Sequence, residues 1–224
     1  MNPHSRSLVA FETARAVTEA IAQSLPPQVD PAALTVNSKL PFKVLSLREL
    51  LIHRVSALAV AAVDLHDKGN HLAAATITRS ILETTAVAFA IEKNLNKFLR
   101  VQDVKAFDRF LMKILIASGA PDANHPAIDI TGLVNSVNTR KPGFKDSYNQ
   151  LCEYVHPNWA GLLGTFGQVD QASLILSLGS SQYAGAWATG VDALVNSLEE
   201  FQRIYASLGP LTVQLNSYFE AQSP

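Results

Sequence analysis

Residues 72–91 read LAAATITRSILETTAVAFAI, apolar or small on nearly every side of a helix, with Arg79 and Glu83 as the only charges. A helix that is hydrophobic all round belongs in the middle of a bundle. The Arg79 guanidinium is therefore expected in the interior, where it needs a partner. Glu83 follows four residues later and projects from the same helical face. Two readings of the pair stay open. One is a polar staple that avoids an unpaired buried charge. The other is a site in which Arg79 also faces a ligand phosphate or carboxylate, which its planar fork suits. Either way the expected fold class is all-α.

Helical periodicity organises the flanking sequence. Ala10, Ala14, Val17 and Ile21 form one stripe of a first helix that stops before Pro26 and Pro27. A long connector is expected near 25–44. Ser46 and Glu49 have capping-box spacing, and Leu47, Leu51, Val55, Leu58 and Ala62 follow at helical intervals until Lys68-Gly69. Asn70 can cap the next helix, which carries Arg79 to about Leu99, so 46–68 and 70–99 are expected to form a central antiparallel hairpin. Val104, Phe107, Phe110, Leu111 and Ile114 mark a fourth helix ending at Gly119, and a short helix is expected at 128–137. A helix at 144–155 would bury Tyr148, Leu151, Cys152 and Val155. Gly161, Gly164 and Gly167 bring irregular backbone, and 174–178 reads as a strand of a small β-hairpin near 165–178. Ala184, Trp187, Val191, Leu194, Leu198, Phe201 and Tyr205 restore a long amphipathic helix, which Gly209-Pro210 is expected to interrupt before a last stretch at 211–219. The whole of 1–224 is expected to form one domain.

Composition narrows the functional classes. Hydrophobic residues make up 48% and charged residues 17% of the 224 residues, which suits a well-packed chain and not a disordered one. The formal net charge is −1, so no global positive field holds a nucleic-acid backbone, and there is no strong DNA-binding signal. Cys152 is the single cysteine, which removes internal disulfides and Cys-based zinc clusters and suits a reducing cytosol. The first residues lack a basic start followed by an apolar signal core, and no run of eighteen apolar residues is free of polar interruption. A cytoplasmic protein without membrane association, metal or other cofactor is expected.

The best partner region for Arg79 is YNQLCEYVHPN at 148–158. His156 precedes Pro157, which disfavours helical geometry and ends the helix there. An imidazolium at a helix C-terminus is stabilised by the local negative potential, and Glu153 three positions earlier could reinforce it. His156 is either a proton donor and acceptor or a plain helix cap. Tyr148 could orient a reacting group, Asn158 fits a turn, and Trp159 is a packing residue or a pocket wall. Arg48 and His53 match Arg-x4-His on an early helix, a short string that recurs by chance. Glu153-x-x-His156 is a single unit of the paired motif that di-iron bundles need. Neither a phosphate loop nor a Gly-x-Ser-x-Gly elbow is present.

The helix containing TRSILET at 78–84, followed much later by YNQLCEYVHPN at 148–158, resembles uncharacterised microbial helical proteins near the HEPN superfamily. The similarity covers roughly 46–100 and 144–167. It implies a helical bundle, frequently dimeric, and HEPN ribonucleases cut RNA without metal through the arginine and histidine of Arg-x4–6-His. Here the positions that should hold that arginine before His156 are Gln150, Leu151 and Cys152, so Arg79 would have to supply the guanidinium from another helix. The resemblance thus implies a HEPN-like binding or regulatory protein, with a role in microbial defence or stress. Its alternatives are a metal-independent ribonuclease using Arg79, His156 and Tyr148, with Glu83, Glu153, Asn158 and Trp159 in support, or a bundle that binds a small molecule or metal. A homodimer, with RNA or a protein as further partner, is the expected assembly.

Overall fold

The computed structural model describes residues 3–30, 32, 34–116, 128–179 and 184–222. Its helices are α1 (Pro3–Gln23), α2 (Leu40–Asp67), α3 (His71–Val101), α4 (Val104–Ile116), α5 (Ile130–Asn138), α6 (Phe144–Val155), α7 (Leu163–Phe166) and α8 (Ala184–Glu220). Strands β1 (Gly167–Val169) and β2 (Leu176–Leu178) pair antiparallel, Gln168 opposite Ser177. The chain is a mostly all-α bundle with one small hairpin.

The central hairpin has the expected closure. Gly69, at φ +74°, takes the left-handed conformation between α2 and α3, and the Asn70 side chain accepts from Ala73 N at 3.2 Å. α3 packs on α2, α4, α5, α6 and α8. Its small residues Ala74, Ala75, Ala86 and Ala88 are buried and let neighbouring backbones approach, while Ile81, Leu82, Ile91 and Leu95 fill the core. By length and composition α3 could cross a membrane, but its apolar surface is largely covered by the bundle.

Two boundaries differ from the sequence expectation. α2 starts at Leu40, one turn and a half before the Ser46-x-x-Glu49 box, because Pro41 lies in the first turn, where its fixed φ favours helix and its missing N–H costs nothing. The connector is correspondingly shorter and is held to the end of α8 by Thr35 N donating to Asn216 Oδ1 at 2.8 Å. Nor does Gly209-Pro210 break α8, which continues through Pro210 to Glu220. Buried Leu208, Thr212 and Leu215 hold the segments on both sides against the bundle, and Arg48 Nε donates to the Tyr205 carbonyl at 3.1 Å in the turn before the proline. The expected end of the fourth helix at Gly119 lies outside the described residues.

Charged groups lock α8 in place. Arg140, in the turn after α5, lies over the Phe89 ring at 4.1 Å and donates to Glu200 Oε1 from Nη2 at 2.6 Å and from Nε at 3.1 Å. Its Nη1 also donates to Glu92, whose other oxygen accepts from Ser207. Arg203 adds a fork onto Glu200, at 2.6 and 3.1 Å. Glu92 and Glu200 are 7% and 5% exposed, so α3, α5 and α8 meet at two desolvated carboxylates. Burial pushes the Glu200 carboxyl up, but Arg203 and Arg140 outweigh it and hold it below the ordinary carboxylate range. A second tie joins α2 to α8. The Tyr205 hydroxyl donates to Glu49 Oε2 at 2.6 Å, beneath Arg48, which is 3.6 Å from the ring centroid and paired with Glu49. Burial, then the Glu49 bond, pushes Tyr205 up to about 12.

A neutral histidine sits in the last turn of α2. His66 is buried against Phe11, and its Nδ1 lies 3.2 Å from that of His71, which in turn neighbours Trp187. Gly190 allows this fit, since a Cβ there would lie 3.1 Å from His66 Cε1. Burial, then the neighbouring His71, lowers His66 from 6.5 to about 4.

Two stability measurements follow. Arg140→Ala leaves Glu92 with only Ser207 and Glu200 with only Arg203, and should lower the unfolding free energy by about 3 kcal/mol in urea titration; a loss under about 1 kcal/mol contradicts the clamp. For His66 the unfolded chain takes up its proton as pH falls through 6.5, whereas the folded chain resists until about 4. Stability should therefore fall across that window by up to about 3 kcal/mol. In His66→Leu that part of the slope should vanish; an unchanged slope assigns the acid sensitivity elsewhere.

Candidate functional site

α6 carries Tyr148 to Arg79. Gly143, at φ +89°, opens this helix, and Lys145 N donates to Asn138 Oδ1 at 3.1 Å, tying its start to the end of α5. Phe144, Tyr148 and Leu151 form its buried stripe, whereas Cys152 and Val155, expected to be buried beside Tyr148 and Leu151, are half-buried. The helix runs over the residues expected, with His156 as its C-cap.

At the α3–α6 contact three side chains close on one another. Arg79 Nη2 donates to the Tyr148 hydroxyl at 3.2 Å, and that hydroxyl donates to Glu83 Oε1 at 3.2 Å. Arg79 Nε lies 3.2 Å from the same oxygen, an ion pair whose alignment leaves Nε without a hydrogen-bond acceptor. The guanidinium carbon is 5.3 Å from the Tyr148 ring centroid. Burial, helped by Glu83, pushes the Tyr148 phenol up against the opposing pull of Arg79, so it stays protonated at neutral pH. Burial works against the charge on Arg79, yet Tyr148, Cys152 and Glu83 together raise its pKa. The cation is fixed and neutralised inside the ring. Arg79 and Glu83 side chains are each 27% exposed, so the pair sits at the rim of the core and not at its centre.

His156 stands apart from that ring. Its backbone is extended, with φ −77° and ψ 140°, as the following proline requires, and its N–H donates to the Cys152 carbonyl at 3.0 Å. The side chain is exposed, and among the described residues no hydrogen bond, ion pair or ring contact joins it to Arg79. About 12 Å of helix rise separates it from Tyr148. The other candidate residues build the turn. Asn158 Nδ2 donates to Glu153 Oε2 at 2.7 Å, while Asn158 Oδ1 accepts from Gly161 N at 3.1 Å. Glu153 is thus engaged with Asn158, not with His156. Gly161 is needed here, because a Cβ would lie 2.1 Å from the His156 carbonyl oxygen. Trp159 is 66% exposed and packs beside Gly164.

The remaining Arg–His string does not converge either. His53 Nε2 meets the Pro26 carbonyl at 2.8 Å, whereas Arg48 turns to Tyr205 and Glu49. Among the described residues no cluster of three or more His, Cys, Asp or Glu side chains could hold a metal. The polar cluster that sequence reasoning missed is Arg140 with Glu92 and Glu200. A signal for it exists, since Glu92 continues the buried stripe of Ile81, Thr85 and Ala88 toward Leu95, where a carboxylate demands a partner.

Compared with known proteins, the chain matches no family model, no curated protein and no solved structure.

The ring makes a direct prediction. Arg79→Ala should destabilise by about 1–2 kcal/mol, a value reduced from a fully buried pair by partial exposure, whereas Arg79→Met should cost less than half of that because it keeps the apolar volume. Thermal unfolding of both variants checks this; equal losses would mean that the charge itself is required.

Proposed function

We propose that the chain is a HEPN-like helical binding or regulatory protein whose bundle presents a surface to a partner and does not cut RNA. The observation that carries this reading is the closed Arg79–Glu83–Tyr148 ring with His156 outside it. Metal-independent RNA cleavage needs a base or acid at the ribose hydroxyl or leaving oxygen and a cation at the phosphate, within reach of one reacting centre. Here the cation is neutralised by Glu83 and carries Tyr148, while the imidazole lies on the far side of two helical turns. The segment that follows His156 supports a contact role, since it sets Trp159 and several apolar side chains in solvent.

The test is incubation of the purified full chain with a mixed RNA pool in chelator between about pH 6 and 8, the range in which a histidine changes charge. The binding reading predicts no cleavage above that of His156→Ala. Cleavage that His156→Ala and Arg79→Lys each reduce by roughly a hundredfold would replace it with the ribonuclease reading.

A further inference from the structure

Positive charge is concentrated where α3 gives way to α4. Residues 93–116 hold six of the chain's 18 lysines and arginines and only two of its 19 acids, so this corner is basic and the rest of the chain is acidic. Lys93, Lys97 and Arg100 are exposed at helical spacing on one side of α3, and Lys105 and Arg109 are exposed one turn apart on α4. Gln102, at a left-handed φ of +59°, turns the chain between the helices, and the stacked rings of Phe98 and Phe107, 5.1 Å apart, hold them together. Lys97, Val101 and Ala106 line one open cleft between α3 and α4, so the α3 row and the start of α4 border the same surface. Both acids are already engaged. Asp103 Oδ1 accepts from Ala106 N at 2.9 Å, and Asp108 pairs with Lys43. Lys93 and Arg100 reach only neutral acceptors, Ser136 Oγ and the Asn96 carbonyl, and among the described residues no carboxylate meets any of the six cations.

We infer that this corner is a contact surface for an anionic lipid bilayer, with Lys97, Arg100 and Lys105 on the headgroup phosphates and Val101 and Val104 pressed between them. A patch of cations without carboxylate partners is complementary to a polyanion. What selects lipid among polyanions is the apolar surface interleaved with the charge. Val101 is 62% exposed and Val104 40%, and Ile116, two turns beyond Arg109 on the same face of α4, is 42% exposed. These side chains gain little against a phosphate backbone in water, but they gain at the boundary between headgroups and acyl chains, where lysine and arginine stems also bury. Sequence-tolerant binding of single-stranded nucleic acid uses exposed rings on which bases stack, whereas Phe98 and Phe107 are buried against each other. A contact in the plane of the bilayer surface needs no spanning segment. This inference goes beyond the proposed binding role, because neither the Arg79 ring nor the segment after His156 takes part, and the RNA-cleavage test leaves it untouched.

Co-sedimentation of the full chain with lipid vesicles tests it. Vesicles of phosphatidylcholine with about 30% phosphatidylserine should carry the protein down at about 100 mM salt, phosphatidylcholine alone should not, and about 500 mM salt should release it. The triple variant Lys97→Gln, Arg100→Gln, Lys105→Gln should weaken binding by roughly a hundredfold, about fivefold per charge. Val101→Ser combined with Val104→Ser keeps every charge and should still weaken it by about tenfold. Lys68→Gln, at the opposite end of α3, should bind like wild type, and circular dichroism checks that each variant keeps its helices. No binding to the phosphatidylserine vesicles, equal binding to both kinds, or a triple or valine variant that binds like wild type would overturn the inference. So would a Lys68→Gln protein that loses binding as fully, or a mixed RNA pool that strips the protein from the vesicles and is held as tightly by the valine variant, which assigns the patch to nucleic acid.

Discussion

The contact between Arg140 and the two buried carboxylates of Glu92 and Glu200 is the constraint on which the bundle depends. Leu194, Leu198, Phe201 and Ile204 supply the apolar contact along α8, but apolar contact alone leaves the register of two long helices weakly specified. Two desolvated carboxylates, one on α3 and one on α8, must both find donors, and Arg140 reaches both from the turn after α5. Arg203 and Ser207 occupy remaining acceptor positions, so a slip of one helical turn would leave a charge unpaired in the core. The network therefore selects one arrangement of three helices from the many that their apolar stripes allow.

Once that arrangement exists, the other polar contacts have defined places. The Glu49–Tyr205 bond ties α2 to α8 nearly one and a half turns beyond Glu200, and Arg48 covers the Tyr205 ring. The end of α5 fixes the start of α6 through Asn138, and α6 in turn carries Tyr148 to Arg79. The Arg79 ring is thus a consequence of the clamp at one remove. It explains how an arginine sits in an otherwise apolar helix, by sharing Glu83 with a phenol at the rim of the core. By contrast, His156 and the hairpin lie past the end of α6 and are held mainly by their own turns.

The sequence made the local features legible and left the distant ones hidden. Asn70 as a cap, Gly69 as a turn and the helix from Phe144 to Val155 could all be read, because each rests on residues within one or two turns of one another. The link between Arg79 and Tyr148 was readable for a different reason, since the apolar stretch 72–91 of α3 makes its single arginine conspicuous. Pro41 and Pro210 misled in opposite ways. By local rules Pro41 belongs to a connector, yet it occupies a helix first turn, and Pro210 ends a helix, yet the packing around it sustains α8. Glu92 and Glu200 lie 48 and 60 residues from Arg140, and nothing local pairs them. Whether His156 would reach Arg79 was equally a tertiary question, decided by how far along α6 the contact with α3 falls.

If the clamp organises the bundle, its helices should open only with the whole molecule. Native-state amide hydrogen exchange, followed across low denaturant concentrations, measures this directly. Amides in residues 81–95 of α3 and 191–208 of α8 should exchange at one common free energy equal to that of global unfolding, with the same denaturant dependence. Exchange of the α8 amides through a separate opening of much lower free energy, while α3 remains protected, would contradict the account.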